Sequence, residues 1–126
     1  MRILIVIDSL GSGGAQKAKL SLAEGLINLG HKVEFFTYKE PNFFSPMAKS
    51  LNIKVHRVTQ NKNGFSLTTL VYLRKLISSG KYNLIISTMY GPNIYAALAK
   101  IFIKKGSLIL CLESSSKAPV PRLRKL

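Results

Sequence analysis

Four small residues, Gly11-Ser12-Gly13-Gly14, stand shortly after Asp8, itself just downstream of an apolar, β-branched stretch at residues 3–7. Glycines lack a Cβ, so their backbone amides can approach a ligand closely. A helix that starts there offers free N–H groups and a partial positive end, which together favour phosphate. The same four residues also suit a tight strand-to-helix turn that holds nothing, and local pattern alone leaves both readings open. Position 16 is Gln16, so the run is not G-x-G-x-x-G. It also lacks the Gly-Lys-Ser or Gly-Lys-Thr of a Walker A loop. Neither a dinucleotide site nor a nucleoside triphosphatase is indicated.

Few other residues are placed for chemistry. The chain has 5 acids and 2 histidines, and no G-x-S-x-G, H-E-x-x-H or paired-carboxylate spacing, so a nucleophile triad or a metal site has little to be built from. No metal and no cofactor are expected. Asp8 and Glu113 each end an apolar run, where an acid either meets a ligand or caps its own loop through backbone N–H groups. His31 follows Gly30 and reads as a surface or boundary residue. The lone Cys111 lies in an apolar run, which makes a buried structural thiol the expectation and excludes an intrachain disulfide.

The elements that position these residues follow from periodicity. Residues 3–7, 32–38, 53–58, 84–87 and 107–112 read as strands, the first being a continuous apolar run of the kind buried on both faces. Ala18, Leu22, Leu26 and Leu29 recur at helical spacing, and Gly30 suits a left-handed cap. Residues 47–51 read as a short helix. Ser66 is placed to cap a helix that runs to about Ile77 and is ended by Gly80. Pro92 suits the first turn of a helix reaching about Ile103, with Ile94, Leu98 and Phe102 on one side. Alternating strands and helices imply an α/β, doubly wound parallel sheet, with right-handed crossovers favouring the order 3-2-1-4-5. Ligands of such sheets bind beyond the carboxyl ends of strands 1 and 4. The loops at residues 8–14 and 88–93 meet there, bringing Asp8, Tyr90, Gly91 and Asn93 together.

Length and charge bound the partners. A chain of 126 residues holds one core. Lys and Arg number 19 against 5 acids, a net charge of +14 spread over nearly every polar stretch and densest in the last ten residues. An anionic membrane surface and a plain solvated surface are both consistent with that spread, whereas nucleic-acid binders cluster basic residues with aromatics. No run reaches the length of a membrane span, and residues 1–8 are not a secretory signal. A cytoplasmic protein, peripheral on the inner face of the cell membrane where the charge acts, is the expectation.

The opening residues 1–17, ending Gly13-Gly14-Ala15-Gln16-Lys17, together with Leu29-Gly30-His31-Lys32-Val33, resemble the start of family-4 GT-B glycosyltransferases. The segments Lys81-Tyr82-Asn83-Leu84-Ile85-Ile86-Ser87, Gly91-Pro92-Asn93-Ile94-Tyr95-Ala96 and Leu112-Glu113 are similar to later family segments. The resemblance implies the N-terminal, Rossmann-like half of a GT-B fold over residues 1–113, with residues 114–126 a basic tail that begins an incomplete continuation. It implies that Gly13 and Gly14 face the donor diphosphate, and that Asp8, Tyr90, Gly91, Asn93 and Glu113 lie on the acceptor side. A nucleotide-diphosphate sugar would be the donor and a cell-envelope or lipid-linked molecule the acceptor. The donor site would need a second domain or separate subunit, and this half would be inactive alone. The alternative is a non-catalytic module binding an anion or membrane surface. The chain departs from the family after strand 4, where a frequent histidine is replaced by Tyr90 or Gly91, and after Glu113, where a common arginine is Ser114.

Overall fold

The apolar runs form the interior strands of one parallel sheet in a computed structural model that describes residues 1–11, 14–39, 45–58, 64–104 and 106–111. The order along the chain is β1 (Arg2–Val6), α1 (Gly14–Asn28), β2 (Lys32–Thr37), α2 (Ser45–Ser50), β3 (Lys54–Arg57), α3 (Leu67–Gly80), β4 (Leu84–Thr88), α4 (Tyr90–Lys100) and β5 (Ser107–Cys111). The strands lie in the order β3-β2-β1-β4-β5, every pairing parallel. This is the Rossmann-like sheet expected from the sequence.

Two apolar layers hold the sheet between helices. Ile3, Ile5, Ile7, Val33 and Phe35 pack under Leu20 and Ala23 of α1 and Ala48 of α2. Leu4, Val6, Phe36 and Ile85 pack under Leu73 and Ile77 of α3 and Tyr95 and Ala99 of α4. Strand side chains alternate between faces, so β1 feeds both layers and is buried throughout its last four residues.

Several local expectations are corrected. The core face of α1 is Leu20 and Ala23, flanked by Leu26 and Ile27, while Ala18, Leu22 and Leu29 are exposed. The spacing of Ala18, Leu22 and Leu29 fits a helix, but the face turned to the sheet is the one bearing Leu20 and the small Ala23, and α1 lies against β2. In α4 the buried side is Pro92, Asn93, Tyr95, Ala96 and Ala99, whereas Leu98 and Phe102 are exposed, Phe102 by 92%. The helix stops at Lys100 rather than near Ile103, where Arg74 of α3 donates to the carbonyls of Ala99 and Ile101 and satisfies its end. Gly80 is the last helical residue of α3 and the left-handed position is Lys81 at φ 55. Gly80 serves instead as a flat seat, since a Cβ there would enter the Tyr82 ring. Cys111 is half-buried rather than buried. The expected strand end at Leu112, and the tail 114–126, lie outside the described residues.

Other signals hold. Gly30 takes φ 94 at the end of α1. Ser66 accepts from the Thr69 amide at 3.3 Å. Ser66→Ala should therefore destabilise the protein by about 1 kcal/mol in chemical denaturation. The Ser66 amide donates to the Tyr95 hydroxyl at 2.6 Å, a backbone bond that any variant keeps. Ser66→Gly should cost less than Ser66→Ala because glycine is the better N-cap, and the reverse order would show the cap to be unimportant. Among the described residues, no helix is long and apolar enough to cross a membrane.

Candidate functional site

The carboxyl ends of β1 and β4 are neighbours, with Val6 beside Ser87. The chain leaves β1 toward α1 on one face of the sheet and leaves β4 toward α4 on the other. A crevice with two helix N-termini results. Neither helix has an acid in its first turn, so the partial positive ends are not neutralised from within. Gly14 opens α1, is exposed, and has nothing within 4 Å of where a Cβ would stand. Gly13 and Glu113, the other expected contacts at this edge, lie outside the described residues.

Asp8 organises the loop above β1. Its Oδ1 accepts from the Ser9 amide at 2.7 Å and from Gln16 Nε2 at 3.1 Å. The Asp8 carbonyl accepts from the amides of Tyr38 and Lys39 at 2.9 and 2.8 Å. Ser9 Oγ accepts from the Gly11 amide at 3.2 Å. Of the two roles open to Asp8 in the sequence, these bonds serve the loop. Gln16, too, is spent on fixing the approach to α1.

Across the crevice, Met89 precedes α4 at φ 76, ψ 161, a conformation that costs a non-glycine residue on the order of 1–3 kcal/mol. No described side chain caps the helix there. Asn93 is buried and its Nδ2 donates to the Cys111 carbonyl at 3.0 Å, tying α4 to the end of β5. Its side chain therefore faces the sheet. Tyr90 and Gly91 face outward at a groove of about 280 Å³ lined by Tyr38, Lys39, Gly64, Phe65, Tyr90, Gly91, Ile94 and Tyr95.

The groove is built from aromatic rings that support one another. Tyr95 meets Tyr38 edge-on at 4.8 Å, and Phe65 stacks on Tyr95 at 5.0 Å and 14°. Tyr38 is buried, and that burial, then the nearby Asp8 and Tyr95, pushes its hydroxyl above the ordinary range, so it stays a neutral donor. Gly91 keeps the floor open, because a Cβ there would stand 2.7 Å from the Tyr38 hydroxyl. Sequence reading singled out Tyr90 and Gly91 but not Tyr38, Lys39, Phe65 or Tyr95. They come from three separate segments, and no spacing links them.

A larger hollow, about 690 Å³, lies at the outer edge of β3 among Pro46, Lys49, Asn52, Lys54 and Arg57. It is remote from the β1–β4 crevice in strand order and carries basic rather than aromatic groups. Among the described residues, His, Cys, Asp and Glu do not gather in threes that could hold a metal.

The family model described as Glycosyltransferase Family 4 matches residues 12–111. A search of curated proteins found no match. Among solved structures, the chain is similar to a glycosyltransferase from Rickettsia africae, at 17% identity and TM-score 0.66, covering 86% of this chain and 28% of that one. It is also similar to the C-terminal domain of a hydrogenase from Pyrococcus furiosus, at 14% identity and TM-score 0.52, covering 90% of this chain and 91% of that one. At such identities the likeness is one of fold. The chain thus spans 28% of the length of the Rickettsia protein it resembles.

Proposed function

The chain belongs to glycosyltransferase family 4, and from that premise we propose that it is the N-terminal, acceptor-side domain of a GT-B enzyme. The enzyme would move a sugar from a nucleotide-diphosphate donor to a cell-envelope or lipid-linked acceptor at the inner face of the cell membrane. The observation that carries this reading is the meeting of two helix N-termini, free of acids in their first turns, at the β1–β4 crevice. Gly13 and Gly14 would present amides to the diphosphate, and the loop held by Asp8 would fix their approach. Tyr90 and Gly91 would stand on the acceptor side, with Glu113 beyond β5 and Asn93 anchoring α4.

A second domain would hold most of the donor, so this half would position rather than catalyse alone. The apolar residues Ile109 and Leu110, 48% and 45% exposed on β5, supply a surface of the kind such a domain or subunit would cover.

Gly14→Asp tests the reading. An acid at the first helical position leaves α1 intact or slightly stabilised. It also places like charge against a diphosphate, and the affinity for a nucleoside diphosphate should fall about tenfold or more. Calorimetric titration with uridine and guanosine diphosphates, run on the chain supplied with a donor-binding half and beside a melting curve, checks both parts of that expectation. Unchanged affinity in the variant would sink the placement of the donor.

The non-catalytic reading, a module docking on an anionic surface, draws on the basic hollow at Lys49, Lys54 and Arg57. On that reading the protein should co-sediment with vesicles containing phosphatidylserine at low salt and be released near 1 M salt. It should also show no sugar transfer when supplied with a donor-binding half.

A further inference from the structure

The aromatic groove beside α4 says more about the acceptor than the family does. Its volume, about 280 Å³, lies just below the roughly 300–1,000 Å³ typical of sites for drug-sized ligands. That is room for one sugar ring, with any further units of the ligand running out of its open side. Its walls are flat, and the inner one is held in place. Tyr95 is fixed by the Ser66 amide at 2.6 Å and by the edge contact with Tyr38. Phe65 covers Tyr95 with one face and is still 55% exposed, and Tyr90 is 83% exposed. An aromatic face carries partial negative charge, which attracts the weakly positive C–H groups on the apolar face of a sugar ring. The buried Tyr38 hydroxyl supplies a polar group on the floor, as a polyol requires and an alkyl chain does not. Among the described lining residues the ionic group is Lys39, whose Nζ lies 5.8 Å from the centre of the Tyr38 ring. Among the described residues no acid stands in the lining, and the acid that acts on the Tyr38 hydroxyl is Asp8, outside it.

We propose that the groove takes a single pyranose ring of the acceptor, stacked against Phe65 and Tyr90, with a negatively charged substituent directed to Lys39. The proposal rests on the reading of the chain as an acceptor-side domain and deepens it by naming the substrate class: an acidic saccharide, either a uronic acid or a sugar phosphate.

Saturation-transfer and chemical-shift NMR on the whole chain would test it with four probes: methyl glucuronide, glucose 6-phosphate, methyl glucoside and 1-hexanol. One or both acidic sugars should shift the signals of Phe65, Tyr90 and Gly91. The one that binds better tells a carboxylate source from a phosphate source. The neutral glucoside should bind about tenfold more weakly, the equivalent of one charge-assisted contact. Hexanol should not displace the acidic sugar. Lys39→Gln should erase the preference for the acidic sugar. Phe65→Ala should weaken all the sugars about three- to tenfold, as loss of one stacking partner does. Equal binding of neutral and acidic sugars, displacement by hexanol, or no sugar binding at all would overturn the proposal. Failure of the parent reading looks different. There, Gly14→Asp leaves diphosphate affinity unchanged, whatever the groove binds. A protein that transfers sugar but binds no ring in this groove refutes the present inference alone.

Discussion

Glu34→Ala should destabilise the protein by about 3–5 kcal/mol, lowering its melting temperature by about 10 °C or more. Glu34 is a charged residue in the middle of β2 with 1% of its surface exposed. Its carboxylate accepts from Tyr82 Oη at 2.6 Å and Arg2 at 3.0 Å, and pairs with His56 Nε2 at 2.8 Å. Removing it leaves the Tyr82 hydroxyl and the His56 ring without their partner beneath α3, and such orphaned groups are costly. Arg2 is 37% exposed and can turn to water, which places the cost toward the lower end. Tyr82→Phe removes one bond to the carboxylate and should cost about 1.5–3 kcal/mol.

The same site sets an acid limit. Burial by itself would push the Glu34 carboxyl up, but the bonds from Tyr82, His56 and Arg2 outweigh it and hold the group at about 2, below its usual 4.5. A lowered carboxyl contributes stability that is complete above the unfolded value and is lost as pH falls through the folded one. The window therefore runs from about 4.5 down to about 2, and the contribution lost across it is about 3 kcal/mol. Urea unfolding of the wild type and of Glu34→Gln across that window isolates this residue from the other acids. The wild type should lose more stability than the variant by about that amount, and parallel losses would rule the network out as the cause.

Gly106→Ala should cost about 2–4 kcal/mol, combining two separate penalties. Gly106 takes φ 83 where the chain turns from α4 into β5, and a Cβ there would stand 2.5 Å from the Tyr82 carbonyl oxygen. The obstacle is backbone and cannot rotate away. Gly64 provides the comparison, because it takes φ 91 with open space around it. Gly64→Ala should cost only about 1–2 kcal/mol, the backbone term alone. Chemical denaturation of the two variants should differ by the steric contribution, and equal values would remove the Tyr82 carbonyl from the account.

Tyr82 thus joins several constraints at the amino-terminal end of the sheet. Its ring fills the space that Gly80 leaves, its hydroxyl holds Glu34, and its carbonyl defines the turn at Gly106. This end faces away from the candidate site. On the proposed function, stability and ligand binding are divided between the two ends of the strands. Substitutions at Glu34, Tyr82 or Gly106 should lower the amount of folded protein, whereas those at Gly14, Lys39 or Phe65 should alter binding with the fold intact.

The sequence alone determined the sheet and its crevice. Continuous apolar runs can be buried only between two layers, and strands separated by helical segments can pair only in parallel through right-handed crossovers. That reasoning places Asp8, Gly14, Tyr90 and Gly91 at one edge before any coordinates are known. Caps at Ser66 and Gly30 were legible for a similar reason, since each satisfies a local backbone requirement. The tertiary structure decided which faces of α1 and α4 are buried. Leu20, Ala23, Tyr95, Ala96 and Ala99 face the interior, while Ala18, Leu22, Leu98 and Phe102 remain outside, so neither apolarity nor size of a residue settles its side. It alone brought Tyr38, Phe65 and Tyr95 together, and it gathered Arg2, His56 and Tyr82 around Glu34. Such groupings depend on strand register and on which rings fit between helices. Those are properties of packing among distant segments, and no local pattern of residues encodes them.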